Sequence, residues 1–313
     1  MKAIQIDAFG DASVLKYQDV PEPELKAGEV LVRTLAAGVN PIDWKTCSGG
    51  GASAFIGELP FIPGWEFSGE VIAAGANVSG FDSGDKVYGF IRFPNRAGCY
   101  AQEIAAPVEQ IAKLPAACNP IHAAGLGLAG LTAWQALFDK AALKAKQRVL
   151  ILAAAGGVGH LAVQLAKWKG AYVIGTASQK NHAFLQALGC DEVLDYNTQA
   201  LHELVKDVDV IIDGVGGETG ISALACLAQQ GVMITLPSVT KDAVIAAGES
   251  VGKQVLPIRV EPSATQLTQL AQLHADGDLK LDIAAIHPLE DTAKAFAEIA
   301  SGHTRGKVIL KVS

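Results

Sequence analysis

The sequence contains no long uninterrupted run of apolar residues and no cluster of positive charge, although half of its 313 residues are hydrophobic. Polar residues, glycine or proline interrupt every apolar run before it reaches the roughly 18 residues that suggest a membrane-spanning helix, so we expect no membrane span. Lysine and arginine total 25 against 32 acidic residues, giving a net charge of −7, and they form no continuous basic run. This balance disfavours a nucleic-acid surface, which requires clustered positive charge.

Cysteine and histidine are scarce and scattered, which disfavours metal and thiol chemistry. The five cysteines form no C-x-x-C pair, and the seven histidines show no H-x-x-x-H motif. The N-terminal residues MKAIQIDAFG lack the apolar core and cleavage site of a signal peptide. We therefore expect no metal, reduced thiols and a cytoplasmic location.

The most informative segment is a glycine-rich turn between a buried strand and a helix, with the sequence RVLILAAAGGVGHLAVQLAKWK at residues 148–169. It places Ala154, Gly156 and Gly159 at the G/A-x-G-x-x-G spacing, with Gly157 and Val158 between the two glycines. The missing side chains allow a tight turn, let backbone N–H groups approach phosphate, and let the helix pack on the strand. Since a helix N-terminus also carries partial positive charge, this segment predicts a site for a dinucleotide pyrophosphate.

Two regions differ in their predicted secondary structure, and together they indicate an α/β protein. Residues 1–118 carry short strands separated by Gly, Pro and Asp, which is typical of a compact β-barrel-like domain. Residues 119–260 alternate strands and helices, which predicts a doubly wound parallel sheet with strand order 3-2-1-4-5-6. Its six predicted strands are 148–153, 171–176, 192–195, 208–213, 231–236 and 254–260. Residues 261–313 do not extend that pattern, so we assign them to the first domain.

The end of the second predicted strand lacks the acidic residue that binds a free ribose 2′-hydroxyl about twenty positions after the turn. Ser178 and Lys180 lie there instead, and their side chains are suited to donate to a 2′-phosphate and to neutralise it. Alternatively, they are a helix cap and a solvated lysine. The pattern favours NADPH over NADH as the cofactor.

A second glycine cluster, Gly214, Val215 and Gly216, follows the fourth predicted strand. In the predicted strand order this loop neighbours the first glycine turn, so we expect it to lie near the cofactor. A plain strand-to-helix turn is the alternative interpretation of the same glycines.

Several motifs resemble those of the zinc-independent quinone oxidoreductase branch of the medium-chain dehydrogenase/reductase superfamily. They are AAGVNPID at 36–43, PGWEFSG at 63–69, GDKV at 84–87, GLTA at 130–133, AAGGVG at 154–159 and GKV at 306–308. The resemblance covers essentially the whole chain and implies a GroES-like β-barrel catalytic domain together with a Rossmann domain. Asn40 and Trp65 stand where zinc-containing relatives have a cysteine and a histidine, so the resemblance implies chemistry without zinc.

The resemblance also implies cofactor contacts outside the glycine motifs. They are Thr132, Leu236 and Ser238 near the nicotinamide, Tyr196 at the 2′-phosphate, and Arg305, which reaches the cofactor from the other domain. Alternatively, Tyr196 and Arg305 are solvated surface residues.

The implied reaction is reduction of a small hydrophobic electrophile, either a quinone or an α,β-unsaturated carbonyl such as an enone or alkenal. Negative charge then develops on the carbonyl oxygen, and Asn40 and Thr132 are candidates to donate hydrogen bonds to it. Asp43 is a candidate proton donor or, alternatively, holds its loop. The expected pocket wall is aromatic, with core packing as the alternative for each residue: Trp44, Phe55, Phe61, Phe90 and Phe93.

Two further questions stay open at this level. The chain could instead be an NADPH-binding sensor or structural protein with incidental reductase activity, which turnover with quinones and enones would decide. By analogy with relatives that pair through the edge of the dinucleotide sheet, the apolar strand QVLPIRV at 254–260 predicts a homodimer.

Overall fold

The computed structural model of the chain describes residues 1–198 and 200–313 and divides them into two compact units. Unit 1 comprises Met1–Leu131, Glu261–Gly277 and Leu281–Ser313, and unit 2 comprises Thr132–Val260 and Asp278–Lys280. None of the helices in the described residues is both long and apolar enough to span a membrane.

The elements are numbered here in chain order. The strands are β1 (Lys2–Gln5), β2 (Lys16–Asp19), β3 (Glu29–Val39), β4 (Glu66–Ala74), β5 (Lys86–Phe90), β6 (Glu103–Pro107), β7 (Ile111–Lys113), β8 (Arg148–Ile151), β9 (Tyr172–Thr176), β10 (Glu192–Leu194), β11 (Val208–Asp213), β12 (Leu227–Thr235), β13 (Gln254–Pro257), β14 (Ile283–Pro288) and β15 (Lys307–Lys311). The α-helices are α1 (Pro41–Cys47), α2 (Pro120–Ala123), α3 (Gly127–Trp134), α4 (Gly159–Trp168), α5 (His182–Ala187), α6 (Leu201–Leu204), α7 (Gly217–Ala223), α8 (Lys241–Ser250), α9 (Ala264–Asp276) and α10 (Thr292–Ala300).

Unit 1 is built on a sheet in the order β14-β15-β3-β4-β5-β7, with β6 also pairing with β3. The first half of β3 pairs with β6 and its last residues pair with β15, both antiparallel. Burial along β3 alternates at first and becomes continuous from Ala36 to Val39, so the end of this strand is covered on both faces. This covered end leads directly into α1.

Unit 2 is a six-stranded parallel sheet in the order β10-β9-β8-β11-β12-β13. This confirms the predicted 3-2-1-4-5-6 order, and each of the six predicted strands is present. Its central strands supply a continuous apolar core that includes Leu150, Ile174, Ile211 and Met233, all fully buried. β13 forms an edge of the sheet, where Pro257 is tolerated because an outer strand needs fewer ladder donors.

The first boundary between the units differs from the expectation. The sequence analysis ended the first domain at residue 118, whereas residues 119–131 belong to unit 1. The Ser68 hydroxyl on β4 donates to Pro120 O in α2 at 2.5 Å, which ties this helical segment to the first sheet. A change from strand to helix pattern marks a change of local structure, but it does not show which core the helix packs on.

Candidate active site

The turn that was predicted to bind a pyrophosphate, which we name the pyrophosphate turn, comprises residues 153–159 and connects β8 to α4 in unit 2. Ala154 N–H donates to Thr176 O at 3.0 Å, and Gly156 N–H donates to Ala153 O at 2.9 Å. A Cβ added at Gly159 would lie 2.7 Å from Ala154 Cα, so only glycine fits there without backbone movement. A Cβ added at Gly156 would lie 3.2 Å from Ala153 O, so steric conflict restricts this position less than it restricts Gly159.

His160 supports this turn from the interior, a role that the sequence analysis missed. Its ring Nδ1 lies 2.9 Å from Gly156 O and, because a carbonyl only accepts, that nitrogen carries the proton. The His160 backbone N–H donates to the same oxygen at 3.1 Å. The fully buried imidazole thus fixes the carbonyl of the middle glycine. The only available signal was a histidine directly after the third glycine.

The second glycine loop follows β11 and is held by a buried carboxylate. Asp213 Oδ1 accepts from the N–H groups of Val215 at 3.0 Å and Gly216 at 2.7 Å, while Oδ2 accepts from the Thr235 hydroxyl at 2.9 Å. Asp213 directly precedes the predicted cofactor residues Gly214–Gly216, but its role was not predicted from the sequence. The signal that could have identified this role is the position of Asp213 at the end of a buried strand, directly before a glycine cluster.

The loops after β8, β11 and β12 meet at the carboxyl edge of the sheet. Leu152 N–H donates to Ile212 O at 2.9 Å, and Leu236 N–H donates to Asp213 O at 2.9 Å. The structure therefore brings together three groups of predicted cofactor residues: the pyrophosphate turn, Gly214–Gly216 and the segment that starts at Leu236 and includes Ser238. This is the edge where ligands bind in open α/β sheets.

The remaining predicted cofactor residues of unit 2 follow β9 and β10. Ala177 N–H donates to Leu194 O at 3.0 Å, which aligns the two loops. Ser178 begins a short 3-10 turn that contains Lys180, and Lys180 and Tyr196 are both exposed.

An acidic residue also lies in this region. The backbone and side-chain N–H groups of Asn197, with a contribution from the Gln179 N–H, hold the pKa of Asp195 below its ordinary value. The sequence analysis searched for an acid after the second strand and missed Asp195, which follows the third.

In unit 1, five buried polar residues form one group, which we name the unit 1 cluster: Asn40, Asp43, Glu66, Tyr100 and Lys307. Pro41 starts α1, and the Asn40 N–H donates to Asp43 Oδ2 at 2.7 Å, as in a capping box. The Tyr100 hydroxyl donates to the same oxygen at 2.7 Å.

The environment of Asp43 favours its neutral form. Burial raises the pKa of this carboxyl from 3.8 to about 7, against the opposing effect of the Tyr100 and Asn40 hydrogen bonds. Among the described residues, the second oxygen, Oδ1, has no hydrogen-bond partner. The pKa of the Tyr100 hydroxyl is raised well above its ordinary value, chiefly by burial. Tyr100 therefore stays protonated as a donor to Asp43.

The other half of the unit 1 cluster is an ion pair with an amide. Lys307 Nζ lies 2.8 Å from Glu66 Oε1, 2.5 Å from Asn40 Oδ1 and 3.0 Å from Val39 O. Asn40 Nδ2 donates to Glu66 Oε1 at 2.7 Å, and Leu128 N–H donates to Glu66 Oε2 at 2.7 Å. The sequence analysis found Asn40 and Asp43 but not Glu66, Tyr100 or Lys307, although two of these lie within the quoted motifs.

The predicted aromatic pocket residues separate into two groups. Phe61 and Phe90 are fully buried, and with Trp65 and Phe93 they form a chain of ring contacts with centroids 5.4–6.1 Å apart. These two are core residues in unit 1, which differs from their expected place in a pocket wall. Phe55 is 49% exposed. Trp44 is half-buried, and its indole Nε1 has no hydrogen-bond partner among the described residues.

Thr132 and Arg305 complete the predicted set. Thr132 is buried in α3, at the start of unit 2. Arg305 Nε donates to Asp282 Oδ2 at 2.8 Å within unit 1. In the part of the chain that the structure describes, no three His, Cys, Asp or Glu side chains are grouped to hold a metal ion.

Comparison with known families gives two matches along the chain. Residues 26–116 match the family described as "Alcohol dehydrogenase GroES-like domain", and residues 188–310 match "Zinc-binding dehydrogenase". The chain is 34% identical to the chloroplast envelope quinone oxidoreductase homolog of Arabidopsis thaliana, over 99% of this chain and 98% of that protein. It is 30% identical to the 2-methylene-furan-3-one reductase of Solanum lycopersicum, over 99% of this chain and 79% of that protein.

Solved structures agree over the whole length. The quinone oxidoreductase of Coxiella burnetii has a TM-score of 0.96 and 39% sequence identity, covering 100% of this chain and 99% of that one. A mycobacterial protein solved in complex with NADPH has a TM-score of 0.86 and 28% identity, covering 100% of both chains.

Proposed function

Because the chain belongs to the quinone oxidoreductase branch of the medium-chain dehydrogenase/reductase superfamily, we propose that it is an NADPH-dependent reductase that works without zinc. Its acceptors are quinones or α,β-unsaturated carbonyls. The observation that carries the proposal is the meeting of three predicted cofactor loops at the carboxyl edge of the unit 2 sheet. The names of two relatives, a quinone oxidoreductase homolog and a reductase of a conjugated furanone, support the acceptor classes.

The residues of unit 2 fit a dinucleotide. The pyrophosphate turn excludes a side chain at Gly159, which keeps the backbone accessible, and α4 presents its N-terminus there. The N–H groups of Val215 and Gly216 already donate to Asp213 Oδ1. Other atoms of the Gly214–Gly216 loop would therefore contact a cofactor. When bound, the nicotinamide supplies the hydride that the reaction consumes.

The residues of unit 1 do not fit zinc. Trp65 is fully buried among aromatic rings, and Asn40 Oδ1 already lies 2.5 Å from the Lys307 ammonium. A divalent cation at Asn40 would be repelled by that buried positive charge. The possible ligands that remain there are the Asn40 amide and the Glu66 carboxylate. They differ from the thiolate and imidazole ligands that zinc sites commonly use.

The choice of NADPH rests on the loops after β9 and β10. Lys180 is exposed and cationic, and Ser178 and Tyr196 add hydroxyl groups, so together they suit a 2′-phosphate. Asp195 opposes this preference by adding negative charge to the same region. We propose that the positive charge of Lys180 outweighs the negative charge of Asp195 in the interaction with a 2′-phosphate.

At the acceptor, the protein must stabilise the oxygen on which negative charge develops. The proposed donor is the Asn40 side-chain amide, with Thr132 as a second candidate. Asp43 is enclosed and bonded to Tyr100 and to the N-cap N–H of α1, so we assign it to holding this helix start. The proton that completes the reduction then comes from water.

Steady-state NADPH oxidation with 1,4-naphthoquinone and with 3-penten-2-one tests the function. We expect turnover with at least one acceptor and a higher kcat/KM for NADPH than for NADH. Lys180→Ala should lower that preference about tenfold, by analogy with other charge-assisted phosphate contacts, while the exposed Lys206→Ala control leaves it unchanged. NADPH binding without turnover would instead favour a sensor or structural role, and equal use of NADH would contradict the 2′-phosphate assignment.

The homodimer and the cytoplasmic location stay predictions. β13 is at the sheet edge, as a pairing strand must be, and light scattering after size exclusion would measure the assembly. The Arabidopsis relative is named for the chloroplast envelope, so location within a cell requires direct measurement.

A further inference from the structure

Lys307 is a buried ammonium whose hydrogen-bonding capacity is fully used. The residue is 2% exposed, and its three N–H donors face three acceptors, Val39 O, Asn40 Oδ1 and Glu66 Oε1. An ammonium in an apolar interior is costly unless it is paired and hydrogen-bonded. Replacing both members of such a buried ion pair by uncharged side chains of similar size often costs little stability, so the presence of the pair calls for another explanation.

Glu66 connects this ammonium to two other segments. Its side chain is fully buried, Oε1 accepts from Lys307 and Asn40, and Oε2 accepts from Leu128 N–H in the first turn of α3. Room for the carboxylate depends on Gly38, because a Cβ there would collide with Glu66 Oε1. Along the chain, Glu66 lies 26 positions from Asn40 and 241 positions from Lys307.

These two charges fix the orientation of the Asn40 amide. An ammonium can only donate and a carboxylate can only accept, so Oδ1 must face Lys307 and Nδ2 must face Glu66. One Nδ2 hydrogen is committed to Glu66, which leaves the other as the amide's remaining donor. The ammonium on Oδ1 also draws electron density from the amide nitrogen and strengthens that donor, since linked hydrogen bonds polarise each other.

We propose that Lys307 and Glu66 are positioning residues that hold and polarise the Asn40 amide as the hydrogen-bond donor to the carbonyl oxygen of the hydride acceptor. This inference rests on the proposed reductase function. The buried ion pair then contributes to the reaction only by holding and polarising Asn40. Removal of the pair should therefore lower kcat and leave NADPH binding intact.

The test is a mutant cycle in the full-length protein, with kcat measured for the better acceptor and NADPH affinity measured by fluorescence. Asn40→Ala should lower kcat about 100-fold, as removal of one oxyanion donor does elsewhere. Glu66→Gln with Lys307→Met removes both charges and should lower kcat about tenfold or more, with the NADPH dissociation constant within about twofold of wild type. The triple variant should be no slower than Asn40→Ala alone, because the pair acts through Asn40.

The half-buried ion pair of Glu29 and Arg92, also in unit 1, is the matched control. Glu29→Gln with Arg92→Met should leave kcat unchanged. If the losses from Asn40→Ala and from the Glu66/Lys307 substitutions multiply, or if the latter leave kcat unchanged, the pair is purely structural and the inference is overturned.

A second measurement separates this inference from the reductase proposal, because it needs no turnover. Hydrogen exchange of the Asn40 side-chain amide, followed by NMR in labelled protein, should be slow in wild type and at least tenfold faster in the Glu66/Lys307 variant. Unchanged exchange would overturn the positioning role even in an active enzyme. Faster exchange in a protein that reduces no acceptor would retain the amide-holding role and reject the reductase proposal.

Discussion

The pyrophosphate turn of unit 2 and the unit 1 cluster are both polar sites, but they are built by different means. The turn is made largely by backbone groups within a few residues of one another, with one longer-range bond from Ala154 N–H to Thr176 O, and it depends on side chains being absent, as at Gly159. The unit 1 cluster is made by side chains from distant segments, with Lys307 and Asn40 separated by 267 positions. One site depends on local shape, and the other depends on buried charge.

This difference determines how each site should fail. A substitution in the turn introduces steric conflict and should weaken ligand binding more than it weakens the fold. A substitution in the unit 1 cluster leaves a charge or a polar atom unpaired in the interior, so it should affect stability first. The four predictions below test this contrast, from the largest expected effect to the smallest.

Lys307→Met should be the most damaging single change. It leaves Glu66 ionised and buried without its counter-charge, which should lower the free energy of unfolding by about 3–5 kcal/mol. Adding Glu66→Gln should restore most of that loss, because no lone charge then remains. Urea unfolding of the single and double variants measures this. A double variant as unstable as Lys307→Met would show that packing around the methylene chain, and not charge, dominates here.

Gly159→Ala should abolish most cofactor affinity with a smaller change in stability. The added Cβ meets the backbone of Ala154, so the turn must shift away from the geometry that binds phosphate. We expect the NADPH dissociation constant to rise about 100-fold or more, equivalent to about 2.7 kcal/mol. Gly156→Ala, whose Cβ has the milder contact, should show a smaller rise. Equal effects at the two positions would contradict the steric argument.

Asp43 should make stability depend on pH. The folded protein keeps the proton up to about pH 7, whereas the unfolded chain loses it near the ordinary value of 3.8. Between these values the folded state binds more protons, so stability falls as pH rises, by about 2–3 kcal/mol from pH 5 to pH 8.

The variant Asp43→Asn carries no such proton, so its stability relative to wild type should rise over the same pH range. Urea unfolding at pH 5 and pH 8 measures the difference, with the exposed Asp82→Asn as the control. A relative stability that stays constant between the two pH values would show that Asp43 is ionised in the fold.

Asp213→Asn should give the smallest effect of the four. The new amide retains one acceptor oxygen, so part of the loop's hydrogen bonding with Val215 and Gly216 survives. We expect the NADPH dissociation constant to rise about tenfold, or about 1.4 kcal/mol, with a smaller rise for Thr235→Val. Fluorescence titration measures both, and an unchanged affinity for Asp213→Asn would mean that this loop does not contact the cofactor.

The comparison also explains which features were predictable from the sequence. The parallel sheet of unit 2 was predicted strand by strand, because strands covered on both faces appear as continuous apolar runs between helices. The aromatic residues were harder to place, since Phe61 lies in a loop and Phe90 is the last residue of β5, and yet both pack in the core. Residue type and local pattern do not distinguish a ring that lines a pocket from one that fills an interior.

The sequence by itself determined the glycine-rich turn after β8, the strand order of unit 2 and the absence of cysteine and histidine at positions 40 and 65, which hold Asn40 and Trp65. The turn and the two single positions are local features, and the strand order follows from the regular alternation of strands and helices along the chain. Only the tertiary structure decided that Lys307 and Glu66 enclose Asn40, that Tyr100 meets Asp43, and that residues 119–131 pack with unit 1. These contacts join segments far apart in sequence, and no local periodicity specifies which buried charge will face which partner.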